Sequence, residues 1–100
     1  MKILILGAAA GGGFPQWNSN DQTARRARAG DPATPALTQS SIAVSIDGTR
    51  WVLLNASPDL RQQINDNAAL HPRPGDSLRA SPVAAVALTN ADVDHVAGLL

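Results

Sequence analysis

One hundred residues suffice for one small domain with a modest core, and an apolar content of 44% is that of a globular chain. Eight basic and eight acidic residues cancel, so no charge excess points to nucleic acid or to an anionic membrane surface. The chain has no cysteine, which excludes disulfides, thiolate metal sites and a thiol nucleophile.

Lys2–Leu6 reads as a short buried strand. It is far too short to span a bilayer, and the glycines between Gly7 and Gly13 interrupt it before a signal-peptide core could form. A cytoplasmic chain without membrane insertion is therefore expected. Gly7, Gly11 and Gly13 fit the G-x-x-x-G-x-G spacing of dinucleotide-binding loops. That motif needs a helix N-terminus aimed at the phosphates, and Phe14-Pro15-Gln16-Trp17-Asn18 makes a poor helix start. A tight structural turn is the simpler reading.

Asn18 to Leu37 is polar loop, with one helical turn over Ala24–Ala29. Arg25, Arg26 and Arg28 read as a solvated face, or else as a seat for an anion. Ser41–Ser45 and Trp51–Asn55 form a hairpin about Asp47-Gly48. Ser57 caps a helix that starts at Pro58 and runs to about Asn67, with Asp59 at the positive end of its dipole. His71, between Leu70 and Pro72, reads as a solvated loop histidine. Val83–Leu88 is the last buried strand. The apolar ending Val96–Leu100 carries no stop signal, so residues 1–100 are read as a single partial domain. Paired strands interleaved with helices indicate an α/β layered fold that includes antiparallel pairs.

The chemistry concentrates at the end of that last strand. Asn90, Asp92, Asp94 and His95 crowd four polar side chains where α/β folds place their sites. Two readings compete. In one, an aspartate caps a helix, with His95 on the surface; in the other, the carboxylates and the imidazole hold a divalent metal. Ser57 and Asp59 also leave a strand and enter a helix, and lie beside the cluster if the two strands are neighbours.

The stretch from Asn90 resembles the metallo-β-lactamase superfamily signature H-x-H-x-D-H followed by Gly-Leu. The signature falls on Asn90, Asp92, Asp94 and His95, with Gly98-Leu99 in place. More specifically, Gly7–Asn18, Thr38–Val44, Trp51–Gln63, Asp94-His95 and Gly98–Leu100 are together similar to the coenzyme PQQ synthesis protein B family. The resemblance implies the N-terminal half of an αββα sandwich and a role in making pyrroloquinoline quinone. It implies either metal-dependent hydroxylation of a tyrosine-derived precursor or carriage of PQQ or its precursor toward the periplasm. A dinucleotide-dependent oxidoreductase using Gly7–Gly13 is the third reading. Implied partners are a small-molecule or peptide-derived precursor and other PQQ-biosynthesis proteins. On this chain alone, activity is not expected.

Two departures from the family pattern carry expectations. Asn90 and Asp92 stand where superfamily hydrolases have histidines, so Asp92, Asp94 and His95 are the expected metal ligands. With a further histidine from elsewhere, they approach the two-His-one-carboxylate set, which favours iron(II) over zinc. Asn90, Ser57 and Asp59 are expected to orient a ligand or line the pocket. Relatives carry C-x-C-x-x-C where this chain has Ser19, Asp21 and Ala24. A structural zinc is accordingly not expected, and the loop should be looser, held by Phe14, Trp17 and arginine contacts.

Overall fold

A computed structural model describes residues 1–100. Four strands form one sheet in the order β1-β2-β3-β4, with β1 at Lys2–Gly7, β2 at Ser41–Ser45, β3 at Trp51–Leu54 and β4 at Val83–Ala87. The first two pairings are antiparallel and β3 runs parallel to β4. The mixed α/β architecture and the β2–β3 hairpin are those expected. The turn works because Asp47 Oδ1 accepts the amides of Thr49 (2.8 Å) and Arg50 (3.1 Å), while Gly48 takes a φ of 78°. Those amides hold the Asp47 carboxyl far below the usual carboxylate range.

Register assigns the two faces. Leu4, Ala43, Leu53 and Val86 lie across from one another in one row. With Leu6, Trp51 and Val83 they pack against Leu60, Ile64 and Leu70. The rows Ile3–Val44–Val52–Ala85 and Ile5–Ile42–Leu54–Ala87 point the other way. Nothing covers that second face, and Ile3 and Ile5 are 55% and 72% exposed. Within residues 1–100, Lys2–Leu6 and Val83–Leu88, expected as buried strands, are covered on one face only. Both are edge strands, apolar on two faces but covered on one. The Trp51 indole N–H is buried without a hydrogen-bond partner.

Helix α2 spans Leu60–Asn65, shorter at both ends than the expected Pro58–Asn67. The Ser57 hydroxyl does accept the Asp59 amide (3.2 Å), but residues 58 and 59 form a turn rather than helix. At the other end His71 is not merely solvated. Its Nε2 lies 2.9 Å and 3.0 Å from the carbonyl oxygens of Ile64 and Asn65, so it donates to the helix C-terminus.

Helix α1 spans Gln22–Arg28 and is longer than the single turn expected. The three positions expected to leave a loose loop are instead joined to one another. Ser19 Oγ donates to Asp21 Oδ2 (2.5 Å), Asp21 Oδ1 accepts the Ala24 amide (2.8 Å), and Ala24 is buried. This is an N-cap, and the Ser19 hydroxyl and Ala24 amide lower the Asp21 pKa. Arg28 donates to the carbonyls of Ser19 (2.6 Å), Gln16 (2.6 Å) and Trp17 (3.2 Å). The Trp17 side chain is 86% exposed and holds nothing. The arginine carries that part of the expectation. Arg26 pairs with Asp31 at 2.8 Å, so two of the three arginines are engaged locally. No helix is long and apolar enough to cross a membrane.

Candidate metal centre

β4 ends at Ala87, and a four-residue helix α3 begins at Val93 (Val93–Val96). The linker between them is anchored by Asn55 at the end of β3. Asn55 adopts a φ of 68°, a left-handed conformation that asparagine tolerates better than most residues. Its Oδ1 then accepts both the amide (3.0 Å) and the hydroxyl (3.2 Å) of Thr89. Asn55 was not singled out from the sequence. The available signal was an asparagine closing a strand just before Ala56-Ser57-Pro58.

Asp92, Asp94 and His95 are brought together, with one donor atom from each within 4.8 Å of the others. The helix-cap reading does not describe them. Asp92 stands at the N-cap position, yet its side chain makes no cap hydrogen bond. Asn90 Oδ1 accepts the amide of Asp92 itself at 2.9 Å, which is not a helix-capping contact. The same oxygen lies 2.7 Å from His95 Nδ1. Since the backbone amide can only donate, the Asn90 oxygen must face it. Nδ1 must then carry the proton in this contact, which leaves the Nε2 lone pair of a neutral imidazole free for a metal.

The carboxylates complete the set. His95 Nδ1 is 3.6 Å from Asp94 Oδ1 and 4.0 Å from Asp92 Oδ2. Asp92 is 75% exposed at its side chain and Asp94 25%, so the first can rotate while the second is confined. Two carboxylates and one imidazole are a donor set for a divalent cation, with bonds of about 2 Å.

The elements behind the cluster are close. His95 O accepts the Ala56 amide (2.8 Å) and Ala56 O accepts the Gly98 amide (2.9 Å). A methyl group on Gly98 would overlap the Ser57 carbonyl oxygen and sit 2.9 Å from that of Ala56. Only glycine allows this approach. Ser57 therefore lies beside the cluster through its backbone, while its hydroxyl turns to Gln63 (3.2 Å). The Asp59 carboxylate faces Gln39 rather than the cluster. The glycine loop lies on the opposite side, where a Cβ on Gly11 would be 3.5 Å from Asp94 Oδ2. That loop leads to no helix; Phe14 instead bridges to Leu37, and the next helix starts at Gln22. The two hollows of the surface are lined by Met1, Val44 and Val52, and by Phe14, Thr23 and Leu37. No cluster residue lines either; Asp92 is exposed, while Asp94 and His95 are half-buried.

Residues 50–100 match the model of the beta-lactamase superfamily domain. Over all 100 residues the chain is 63% identical to Coenzyme PQQ synthesis protein B of Gluconacetobacter diazotrophicus, covering 32% of that protein. It is 65% identical to the protein of that name from Methylorubrum populi, covering 33% of it. Among solved structures, the zinc-bound PqqB from Methylobacterium extorquens superposes with a TM-score of 0.93 at 62% identity, covering 99% of this chain and 32% of that one. A diphosphatase of the PhnP family superposes with a TM-score of 0.73 at 23% identity, covering 97% of this chain and 32% of that one, and so shares the fold. The chain thus spans about a third of the length of the relatives it matches. A four-stranded mixed sheet with a carboxylate–imidazole cluster at the end of β4, matched from residue 50 to residue 100, places this chain in the beta-lactamase superfamily.

Proposed function

We propose that this chain serves the biosynthesis of pyrroloquinoline quinone, contributing Asp92, Asp94 and His95 to a metal site that hydroxylates a tyrosine-derived precursor. The names of relatives 58–65% identical over the whole chain support the pathway. The observation that carries the site is the Asn90 oxygen, which takes the Nδ1 proton of His95 and the Asp92 amide together. It fixes the imidazole orientation, and the Asp92 carboxylate makes no cap hydrogen bond. Asp92 and Asp94 then offer carboxylate oxygens, and His95 offers Nε2. A divalent metal bound there supplies Lewis acidity and, where redox-active, one-electron chemistry.

The metal's identity decides the reaction class. The zinc in the related PqqB structure supports zinc occupancy, and zinc performs no redox chemistry. The hydroxylation reading therefore requires iron(II). The test is the full-length protein loaded anaerobically with iron(II) or zinc, then given dioxygen, a tyrosine-containing precursor and a two-electron reductant such as ascorbate, so that one oxygen atom enters the ring and the other leaves as water. One oxygen atom incorporated with iron alone is the expected outcome, lost in His95→Ala. No incorporation with either metal overturns the hydroxylase. PQQ binding that survives His95→Ala would then favour a carrier.

A further inference from the structure

We infer that Asp59 and Gln39 are positioning residues for the metal cluster, acting through the glycine loop that walls Asp94. The inference rests on the metal-site reading above.

The Asp94 carboxylate has no hydrogen-bond donor of its own. His95 Nδ1 lies 3.6 Å from its Oδ1, and a Cβ built on Gly11 would lie 3.5 Å from its Oδ2, so the glycine loop passes about a methyl group's width away on that side. Its orientation therefore depends on where the glycine loop stands. Two side chains set that position. Gln39 Oε1 accepts the Gly12 amide at 2.9 Å, and Gln16 Nε2 donates to the Gly11 carbonyl at 2.8 Å. Gln16 is exposed, whereas Gln39 is only 7% exposed. Gln39 is the firmer anchor, because a buried amide has no water to exchange for its partners.

Gln39 is itself fixed from α2. One oxygen of Asp59, Oδ2, accepts both the Gln39 backbone amide (2.9 Å) and its Nε2 (3.1 Å). Gln63, from α2 itself, donates to the Gln39 carbonyl at 2.8 Å. The Gln39 side chain thus has one orientation, with Nε2 toward Asp59 and Oε1 toward Gly12. Flipping the amide would set oxygen against carboxylate and N–H against N–H. Asp59 supplies a charge-assisted contact, stronger than a neutral one, on which that orientation turns. The chain of contacts runs from Asp59 at the entrance to α2 through Gln39 to Gly12, in the loop that flanks Asp94, with no atom of Asp59 or Gln39 in the cluster.

The same helix entrance holds the cluster's other flank, since Ala56 bonds His95 and Gly98 through its backbone. The entrance to α2 thereby grips the two walls of the site at once, one through side chains and one through main chain.

The test uses the full-length protein with cobalt(II) and zinc as probes. Variants are Gln39→Met, which keeps the volume and removes both amide contacts, Asp59→Asn, and the pair together. His71→Ala, at the far end of α2, controls for helix destabilisation. Groups hydrogen-bonded directly to a metal ligand hold affinity within a factor of about 10–100, and Gln39 and Asp59, acting at one remove through the loop, should fall at the lower end of about tenfold. A loss of that size is expected in each single variant, with an altered cobalt visible spectrum. The double variant should lose no more than the worse single one, because both break one link. His71→Ala should leave affinity and spectrum unchanged. Folded Gln39→Met or Asp59→Asn protein with wild-type affinity and spectrum overturns the inference; if one variant does not fold, the other decides. Wild-type protein that binds neither ion overturns the metal-site reading itself.

Discussion

Replacing Gly98 by alanine tests whether the close approach of two backbones positions the cluster. Gly98 is not in a left-handed conformation, so the added methyl costs nothing in backbone torsion. Its cost is steric: it overlaps the Ser57 carbonyl oxygen and lies 2.9 Å from both the carbonyl carbon and oxygen of Ala56. All of these are backbone atoms that cannot rotate away. Overpacking of this kind costs about 1–3 kcal/mol. Separating the segments also weakens the Gly98–Ala56 hydrogen bond, at about 0.5–1.5 kcal/mol. The sum is roughly 2–4 kcal/mol, or a fall in Tm on the order of 5–10 °C in a protein of the relatives' length. Because Ala56 also binds the His95 carbonyl, zinc affinity should fall about tenfold. Thermal unfolding and chelator competition on the full-length protein measure both. Gly30→Ala is the contrast. Its φ of 80° makes alanine strained by roughly 1–2 kcal/mol, but the new methyl meets nothing within 4 Å, so metal affinity should hold. Unchanged stability and affinity in Gly98→Ala would refute the reasoning, as would an equal loss of affinity in Gly30→Ala.

Asp47, Asp31 and Asp21 all have carboxyl pKa values below the usual range, Asp47 chiefly through the Thr49 and Arg50 amides. Their stabilisation is complete above the unfolded carboxylate pKa of about 4 and is lost as pH falls below it. Chemical denaturation between pH 6 and 2, as roughly set by those values, should show stability falling at the acid end, with a shallower fall in Asp47→Asn. Arg28→Ala releases three carbonyls of the loop at residues 16–19, so limited proteolysis should cut there faster than in the parent while metal affinity is retained. Equal cutting rates would mean that the Asp21 cap alone orders the loop.

What could be read from the sequence was local. Asp47-Gly48 announced its hairpin because the turn needs only its own residues and neighbouring amides. The cluster from Asn90 to His95 was legible for the same reason: its members are adjacent in the chain and converge on one strand end. Gln39 and Asp59 were a different case. They are 20 residues apart and meet only because β2 and β3 pair and α2 folds back, which no spacing rule encodes. Asp59 was noticed, but for the wrong neighbour. The one-sided cover of β1 and β4 within these residues was not legible, because an apolar run shows that a strand can be buried on both faces, not which face is covered. Arg28 escaped because its acceptors are carbonyls, which every residue has.

The entry to helix α1 is assembled from a hydroxyl, a carboxylate and a guanidinium gripping peptide carbonyls. None of these groups is oxidised by peroxide, scavenged by a chelator or dependent on metal supply. A loop tied by thiolates shares the fate of the cell's redox state and zinc pool. One tied as this one is keeps its shape through oxidative stress and metal starvation alike. Its weakness lies elsewhere, in acid, where protonation of Asp21 unties the cap.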